Sequence, residues 1–578
     1  MDLNTRQDRL IYIAVFALAI LVHLTGLLND VFISDSALYA SIAKEMVQHH
    51  DFLDLTFDGV DWLDKPHFQF WITALSYKIF GINTFAYKFP AILFTLLALV
   101  YTYKLARDLY DRETALLAML ILATAEHLVI SNNDVRAEPY LTGLIIASIY
   151  YYHRLVGDSR TPGSSVRNSG TWNLVPASLF AALAVMTKGP FTLIPIIGAV
   201  GGELIIKRNW KSLISWRWIL SLSLIILFIS PELYALHHQF DSHPEKVVFG
   251  QTGISGIRFF LWDSQIGRFF NTGPIKGSGD PFFFLHTLLW AFLPWSIMMF
   301  YAIFKRFRRN IPVLDRSDEF YTISGSLLAL LVFSLSSFQL PHYTNIIFPL
   351  LAILTADIII RMKSRAELTF FKWTQYAIIL LVLSALVMLQ IQFRPEGRSP
   401  AAIVAFLLTG SVVILFLKFR LKGKARVLYY SCLASVLLNF YLNLVFYPRL
   451  LYYQSGSRAA EFANENYPGK PIRSLGVLSF TLHFNAYAEV RERKLKDLAG
   501  EPEGGDFLVF TSREYLDSLS LMQVDYRVLA TFDHYHTTMV TGKFLNHNTR
   551  TEALRKHYLL EIIKPSDHEK IIQPQGVH

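Results

Sequence analysis

Apolar residues come in blocks along most of the chain, near 10–28, 88–106, 114–130, 138–153, 174–187, 190–206, 213–232, 281–304, 319–338, 342–360, 372–392, 400–418 and 427–447. A helix needs roughly 20 such residues to cross a bilayer, so the pattern predicts a mainly α, polytopic membrane protein with about thirteen transmembrane helices. Two connections are too long to be turns. In 29–87, Leu38, Ile42 and Met46 recur at helical spacing, as do Phe68, Trp71, Ile72, Leu75 and Ile79. These predict amphipathic helices lying in the membrane interface. The second, 233–280, ends in the Gly-rich stretch 272–280 and reads as a mobile lid. From about 450 the pattern turns soluble: 474–480, 506–510 and 526–531 predict strands, 458–466 and 551–561 helices. The chain therefore divides into a membrane domain, 1–449, and a small C-terminal α/β domain, 450–578.

Charge sets the orientation. With the N-terminus (Arg6, Arg9) cytoplasmic, alternate connections should be basic, and they are, for example Lys207, Arg208 and Lys211, or Lys418, Arg420, Lys422 and Lys424. An odd number of spans places the C-terminal domain outside. The first apolar block has no A-x-A-like cleavage site and reads as an anchor; 157–170 reads as a cytoplasmic linker.

Composition agrees. The 578 residues are 53% hydrophobic and 17% charged, against roughly 25% charged in soluble proteins. The net charge of +9 follows from topology; no basic tract interleaved with aromatics points to nucleic acid. The single cysteine, Cys432, excludes an internal disulfide framework and a cysteine-ligated metal cluster.

Against this scarcity, ionisable residues gather on the outer side: Asp35, Asp64, Asp134 and Glu138, with Lys65, Arg136, Lys188, Arg258 and Arg268, beside His342 and Tyr343. Cations at a membrane surface suit a lipid-linked phosphate, and a nearby carboxylate suits removal of an acceptor's proton or stabilisation of a developing positive sugar centre. Each residue also has a structural reading. Asp35 fits an N-cap; Lys65 fits a helix start with Pro66 at its first position; Asp134 and Arg136 fit a surface ion pair; Lys188 fits a snorkelling side chain; His342 and Tyr343 fit an interfacial aromatic belt. His237, His238 and His243 lack a placed carboxylate and make a weak zinc motif.

The order of these motifs resembles the C-type, polytopic glycosyltransferases of the protein O-mannosyltransferase-like family, which includes bacterial aminoarabinose transferases of lipid A. Asp35-Ser-Ala-Leu-Tyr39-Ala-Ser-Ile-Ala-Lys-Glu45-Met46 is similar to the family's D-E-x-x-Y-x-x-I-x-x-E-M. Asp64-Lys65-Pro66 with Trp71, Asp134, Thr187-Lys188-Gly189-Pro190, Arg268-Phe269 and Leu340-Pro341-His342-Tyr343 follow in order. The resemblance implies a catalytic carboxylate at Asp35 and a second acidic residue, Asp134, on the acceptor side. It implies that Lys65, Arg268, Tyr343 and Lys188 hold the donor phosphate, with Asp64, Arg136, Glu138 and His342 accessory. The implied reaction moves a sugar from a polyprenyl phosphate, undecaprenyl phosphate above all, to a lipid, glycan or protein acceptor. No nucleotide sugar and no cofactor are called for, and a divalent metal stays open. Three positions depart from the pattern: Ser36 stands for the second acid, Gln339 for a basic residue before L-P-x-Y, and Gln265 for a histidine. Two other readings remain: a polyprenyl-sugar flippase, which would place its ligand groups near the midplane, and a glycan polymerase or ligase using a lipid diphosphate.

Overall fold

The computed structural model describes residues 5–156, 170–273, 276–310, 319–395, 399–419, 421–498, 506–522 and 524–563. The linker 157–169 lies outside them. Every one of the thirteen apolar blocks is helical. Among the described residues, seven helices are long and apolar enough to cross a membrane, or eight if one bent pair counts as a single span. Of the other predicted spans, Glu138–Val156 is an unbroken helix of 19 residues outside that set, Leu174–Lys188 has 15 residues, 190–206 and 321–335 are short apolar helices, and 281–304 divides into Phe283–Ala291 and Ser296–Asn310. The chain is a multi-pass membrane protein of mainly helical fold.

The elements that carry most of the ionisable cluster come early. They are α1 (Arg6–Thr25), α2 (Asp35–Gln48), the hairpin β1 (Thr56–Phe57) and β2 (Val60–Asp61), α3 (Phe68–Phe80) and α4 (Thr84–Leu109). There follow α5 (Arg112–Ala123), α6 (Glu126–Asn133), α7 (Glu138–Val156) and α8 (Leu174–Lys188). Side-chain caps start several of them. The Asn83 carboxamide accepts from the Ala86 N–H and the Asp111 carboxylate from that of Thr114, satisfying amides that a helix start leaves bare.

The α5–α6 pair bends by 49° at Thr124–Ala125. A break inside an apolar layer frees backbone groups that must find partners. Here Ser435 Oγ donates to the Thr124 carbonyl at 2.8 Å, the Glu126 N–H to the Leu293 carbonyl at 3.0 Å, and Trp295 Nε1 to Thr124 Oγ1 at 2.9 Å.

Both amphipathic segments of the first outer connection are helical where predicted, as α2 and α3. α2, however, is packed on nearly every side, with Ala37, Ala40 and Ala43 fully buried. Tyr39, Trp62 and Phe70 lock it to α3 in edge-on ring contacts of 5.6–5.9 Å. Glu45 accepts from Thr56 Oγ1 and the Asp58 N–H, holding the β1–β2 hairpin. Lys44 Nζ donates to the carbonyls of His483, Phe484 and Ala486, at the end of the helix Phe480–Asn485.

The C-terminal residues form a mixed sheet of β3 (Ile472–Leu475), β4 (Val490–Arg493), β5 (Leu508–Ser512), β6 (Tyr526–His534) and β7 (Arg555–Ile562), in the order β4-β3-β5-β7-β6. The segment 551–561 is thus a strand where the pattern predicts a helix. Only its first residues form a helical turn, Arg550–Ala553. Paired on both sides by β5 and β6, it takes its conformation from ladder hydrogen bonds and not from local periodicity. Likewise 474–480 is strand only to Leu475, and Phe480 opens a helix.

Candidate active site

Lys65, Asp35, Arg136, Glu138, Lys188, Arg268 and Tyr343 come together around a chamber of about 190 Å³, where α2 and α7 begin and α8 ends. Tyr39, Asp64, Phe338, Leu340 and His342 complete its wall. Four cations and three carboxylates therefore meet in a partly enclosed space, in three groups, with Asp134 behind Arg136 and outside the lining.

The first group joins Lys65 and Arg268. Both donate to Asp64, which bridges them across 204 residues of sequence. All three side chains are largely buried, at 13%, 15% and 21% exposed. Arg268 Nε is buried and has no partner. A guanidinium carries five N–H donors, so one is left aimed into the protein without an acceptor. Burial pushes the Lys65 ammonium below its ordinary value, while Tyr343 and Asp35 oppose that shift. His67 anchors the segment. Its N–H and ring Nδ1 engage the Glu232 carboxylate at 2.9 and 3.0 Å, and Nε2 lies 2.9 Å from the Leu53 carbonyl. The helix after Lys65 begins at Phe68 with His67 as its N-cap, so Pro66 stands outside it and Lys65 does not start a helix.

The second group is a carboxylate pair joined by one arginine. Arg136 donates to Asp35 Oδ2 at 2.8 Å and to Asp134 Oδ2 at 3.1–3.2 Å. Burial lifts the Asp134 carboxyl above the usual carboxylate range, with Arg136 opposing. Burial works against the charge of Arg136 itself but is outweighed by Asp134 and Asp35. Asp35 is the more open of the two, at 42% exposed against 20%. It is the first residue of α2, not its cap; the cap position is Ser34, at φ +78°, with no capping hydrogen bond. A non-glycine residue in that region costs of order 1–3 kcal/mol and persists only where its surroundings hold it.

The third group is Glu138, Lys188, His342 and Tyr343. Lys188 donates to Glu138, His342 Nε2 stands 3.7 Å from the same carboxylate, and the Lys188 ammonium lies 3.7 Å from the Tyr343 ring centroid. Lys188 is therefore turned inward and does not snorkel. Gln265, absent from the sequence-based set, donates to the Lys188 carbonyl at 3.2 Å. It reaches there because Gly189, at φ +102°, has no side chain; a Cβ would sit 2.3 Å from the Gln265 amide.

Two expected contributors lie elsewhere. Arg258 is 74% exposed and pairs with Asp263 at 3.3 Å, outside the chamber. The histidines 237, 238 and 243 do not converge; His238 pairs with Asp54 and His243 with Glu245. Among the described residues no group of three or more His, Cys, Asp or Glu is placed to hold a metal. Of the 272–280 stretch, 274–275 lies outside the described residues.

The chamber opens onto an apolar cleft. Lys188, Arg268, Phe338 and Tyr343 border both, and Leu141, Phe191, Phe333 and Ile346 line the cleft. Anion-seeking groups thus stand at the mouth of a hydrocarbon-lined slot, a surface suited to an amphiphile with a phosphate head.

Residues 64–234 match the model of the dolichyl-phosphate-mannose-protein mannosyltransferase family. That stretch carries Asp64, Lys65, Asp134, Arg136, Glu138 and Lys188. The chain is similar to this glycosyltransferase family. It is 28% identical over 331 residues to an undecaprenyl phosphate-alpha-4-amino-4-deoxy-L-arabinose arabinosyl transferase of Edwardsiella ictaluri, covering 57% of this chain and 55% of that protein. It is 26% identical over 415 residues to the transferase of the same name from Pseudomonas aeruginosa, covering 70% of each. An uncharacterised protein of Aquifex aeolicus is 26% identical over 361 residues, 62% of this chain and 66% of its own length. The match thus spans between about half and 70% of these relatives. The fold superimposes on the crystal structure of ArnT from Cupriavidus metallidurans bound to undecaprenyl phosphate, with TM-score 0.71 at 16% identity over 97% of this chain and 98% of that one.

Proposed function

We propose that the protein is a membrane glycosyltransferase that moves a sugar from a polyprenyl phosphate to an envelope acceptor on the outer face of the bacterial inner membrane. The reading includes the N-terminus in the cytoplasm, thirteen spans within 1–449, and 450–578 as an extracytoplasmic domain. One observation carries it: two largely buried cations, Lys65 and Arg268, share a single carboxylate in the polar chamber, one guanidinium N–H is left over, and Arg268, with Lys188, stands where that chamber meets an apolar cleft. Such an arrangement suits a phosphate head with a lipid tail leading away from it. The relatives named for an undecaprenyl-phosphate-linked sugar support the same donor class.

In this mechanism the donor phosphate displaces Asp64 as the shared acceptor of Lys65 and Arg268, with Tyr343 and Lys188 closing the other side. The acceptor oxygen attacks the anomeric carbon, the bond from that carbon to the phosphate oxygen breaks, and the polyprenyl phosphate leaves with the electron pair. Fixed cations at the departing oxygen lower the barrier because the charge grows there as the bond breaks. Asp35 takes the acceptor's proton; Arg136 aims it, and Asp134 holds Arg136. Asp35→Asn keeps the shape and loses the base. It is expected to insert and accumulate normally while transfer falls by at least about a hundredfold, measured with reconstituted protein and a polyprenyl-phosphate sugar. Normal transfer by that variant sinks the assigned role, and lipid translocation without transfer by the wild type would replace the enzyme with a flippase.

A further inference from the structure

Residues 29–34, which lead from the first span to Asp35, are neither helix nor strand, so their buried backbone groups need partners from elsewhere in the chain. Gln454 supplies two of them. Its Oε1 accepts from the Ile33 N–H at 2.8 Å, and its Nε2 donates to the Val31 carbonyl at 2.8 Å. One carboxamide thus pairs with the chain as a neighbouring strand would, meeting an acceptor and a donor on one edge. Gln454 and Val31 are fully buried, so leaving these groups unpaired is costly. The grip ends one residue short of Ser34, at φ +78°, and two short of Asp35.

Gln454 is itself fixed. Its N–H donates to the Leu451 carbonyl at 2.9 Å, and Thr537 Oγ1 donates to the same Oε1 at 2.9 Å. On one side of it the Tyr535 N–H donates to the Tyr453 carbonyl at 2.9 Å. On the other, Ser455 Oγ lies 2.9 and 2.7 Å from the Nδ1 atoms of His534 and His557, whose rings stack at 4.3 Å. Residues 453–455 are therefore tied to the end of β6 and the turn after it, which gives the carboxamide a rigid base. Gln454 lines neither the chamber nor the apolar cleft, so whatever it does for the reaction passes through the backbone that it holds. A glutamine that only joined two parts of the fold would not need both halves of its amide on alternate groups of a single three-residue stretch.

Resting on the function proposed above, we infer that Gln454 is a positioning residue for transfer: it fixes where α2 begins and so where the Asp35 carboxylate points. The phosphate-holding cations stand on other segments, Lys65 on the stretch that His67 anchors and Arg268 on the helix Ser264–Phe269. The expected signature is a split. In reconstituted full-length protein, Gln454→Leu loses both bonds and should lower kcat by at least about tenfold, since a misplacement of about 1 Å costs up to about a hundredfold. KM for the polyprenyl-phosphate sugar and affinity for undecaprenyl phosphate should stay as in the wild type. Amide hydrogen exchange, read by mass spectrometry, should rise across 31–38 and not across 64–80 or 138–156. Gln454→Glu adds a pH readout. Asp30 Oδ2 stands 3.5 Å from the Gln454 Nε2, so the introduced acid should keep its proton at low pH and donate its O–H in place of the amide. As pH rises the carboxylate would face the Val31 carbonyl, and transfer should fall along an alkaline limb that the wild type lacks. Unchanged kcat in Gln454→Leu, or a pH profile of Gln454→Glu that matches the wild type, overturns the inference. So does a joint fall of kcat and undecaprenyl phosphate affinity with exchange rising throughout, which would leave Gln454 a support of the fold alone. If Gln454→Leu does not accumulate, the pH profile of Gln454→Glu decides. Wild-type protein that transfers no sugar, beside the expected exchange pattern in Gln454→Leu, would instead overturn the proposed reaction and leave the grip on α2 standing.

Discussion

Asp64→Asn gives the sharpest test of the ion-exchange idea in the chamber. In the free protein Asp64 pairs with Lys65 and Arg268 together and leaves the trio with one net positive charge. Each contact, at roughly 3 Å and an effective dielectric constant near 20, has a gross attraction of about 5 kcal/mol, most of it offset by desolvation of groups that are only 13–21% exposed. The net hold of Asp64 on the cations is then about 1–2 kcal/mol, between the exposed and buried limits. A phosphate that replaces Asp64 must overcome that hold. Removing the charge while keeping the shape should therefore destabilise the empty protein and tighten polyprenyl phosphate by about tenfold, since 1.4 kcal/mol is one decade. Turnover should fall, because the product phosphate then lacks a competitor that helps it leave. Titration of undecaprenyl phosphate into nanodisc-reconstituted protein, followed by tryptophan fluorescence, reads the affinity directly. Unchanged or weaker binding by the variant would refute the displacement and make Asp64 a ligand-orienting group.

Three further outcomes follow from the same geometry. Arg268→Lys keeps one charge but loses the unpartnered Nε and the planar fork, so undecaprenyl phosphate should bind about tenfold more weakly; equal affinity would remove the guanidinium from the phosphate site. Ser34→Gly relieves the φ of +78° before Asp35 and should stabilise the fold by about 1 kcal/mol while lowering transfer, read by thermal unfolding beside an activity assay; unchanged transfer would show that the strained turn does not aim the carboxylate. Asp134 has a folded pKa above its ordinary 3.8, so its native form binds the extra proton, and its contribution to stability is lost as pH rises from 3.8 through the folded value. Asp134→Asn should flatten that part of the stability-against-pH curve, and an identical slope would contradict the burial argument.

The sequence carried the helical blocks, the two amphipathic helices and nearly all the chamber residues, because bilayer burial and unpaired charge both leave strong local signals. It carried less where tertiary partners decide. The strand at Arg555–Ile562 is set by neighbours on both flanks, and the division of 281–304 into two helices has no composition signature. Arg258 and Arg268 look alike in sequence, yet only one meets Asp64, since the pairing joins residues 204 positions apart. Lys88, at the start of an apolar block, belongs to none of the motifs. Fully buried, it donates to the carbonyls of Gly26, Asn29 and Asp30 and so closes the end of the first span. The orientation expected from the charge pattern puts Lys88 on the outer side, where the positive-inside bias disfavours lysine, and that mismatch is the signal that marks it in the sequence.

The packing of α2 ties its two ends to different parts of the chain. Asp35 and Tyr39 line the charged chamber, while Lys44, further along the helix, is held by the carbonyls of His483, Phe484 and Ala486. The helix that presents Asp35 is thus clamped at its far end by residues after 450 that do not line the chamber. A change in those residues reaches the carboxylate as a tilt or slide of one rigid rod, so the C-terminal residues act as a distant rudder for α2, and chimaeras are best joined where that clamp is kept whole.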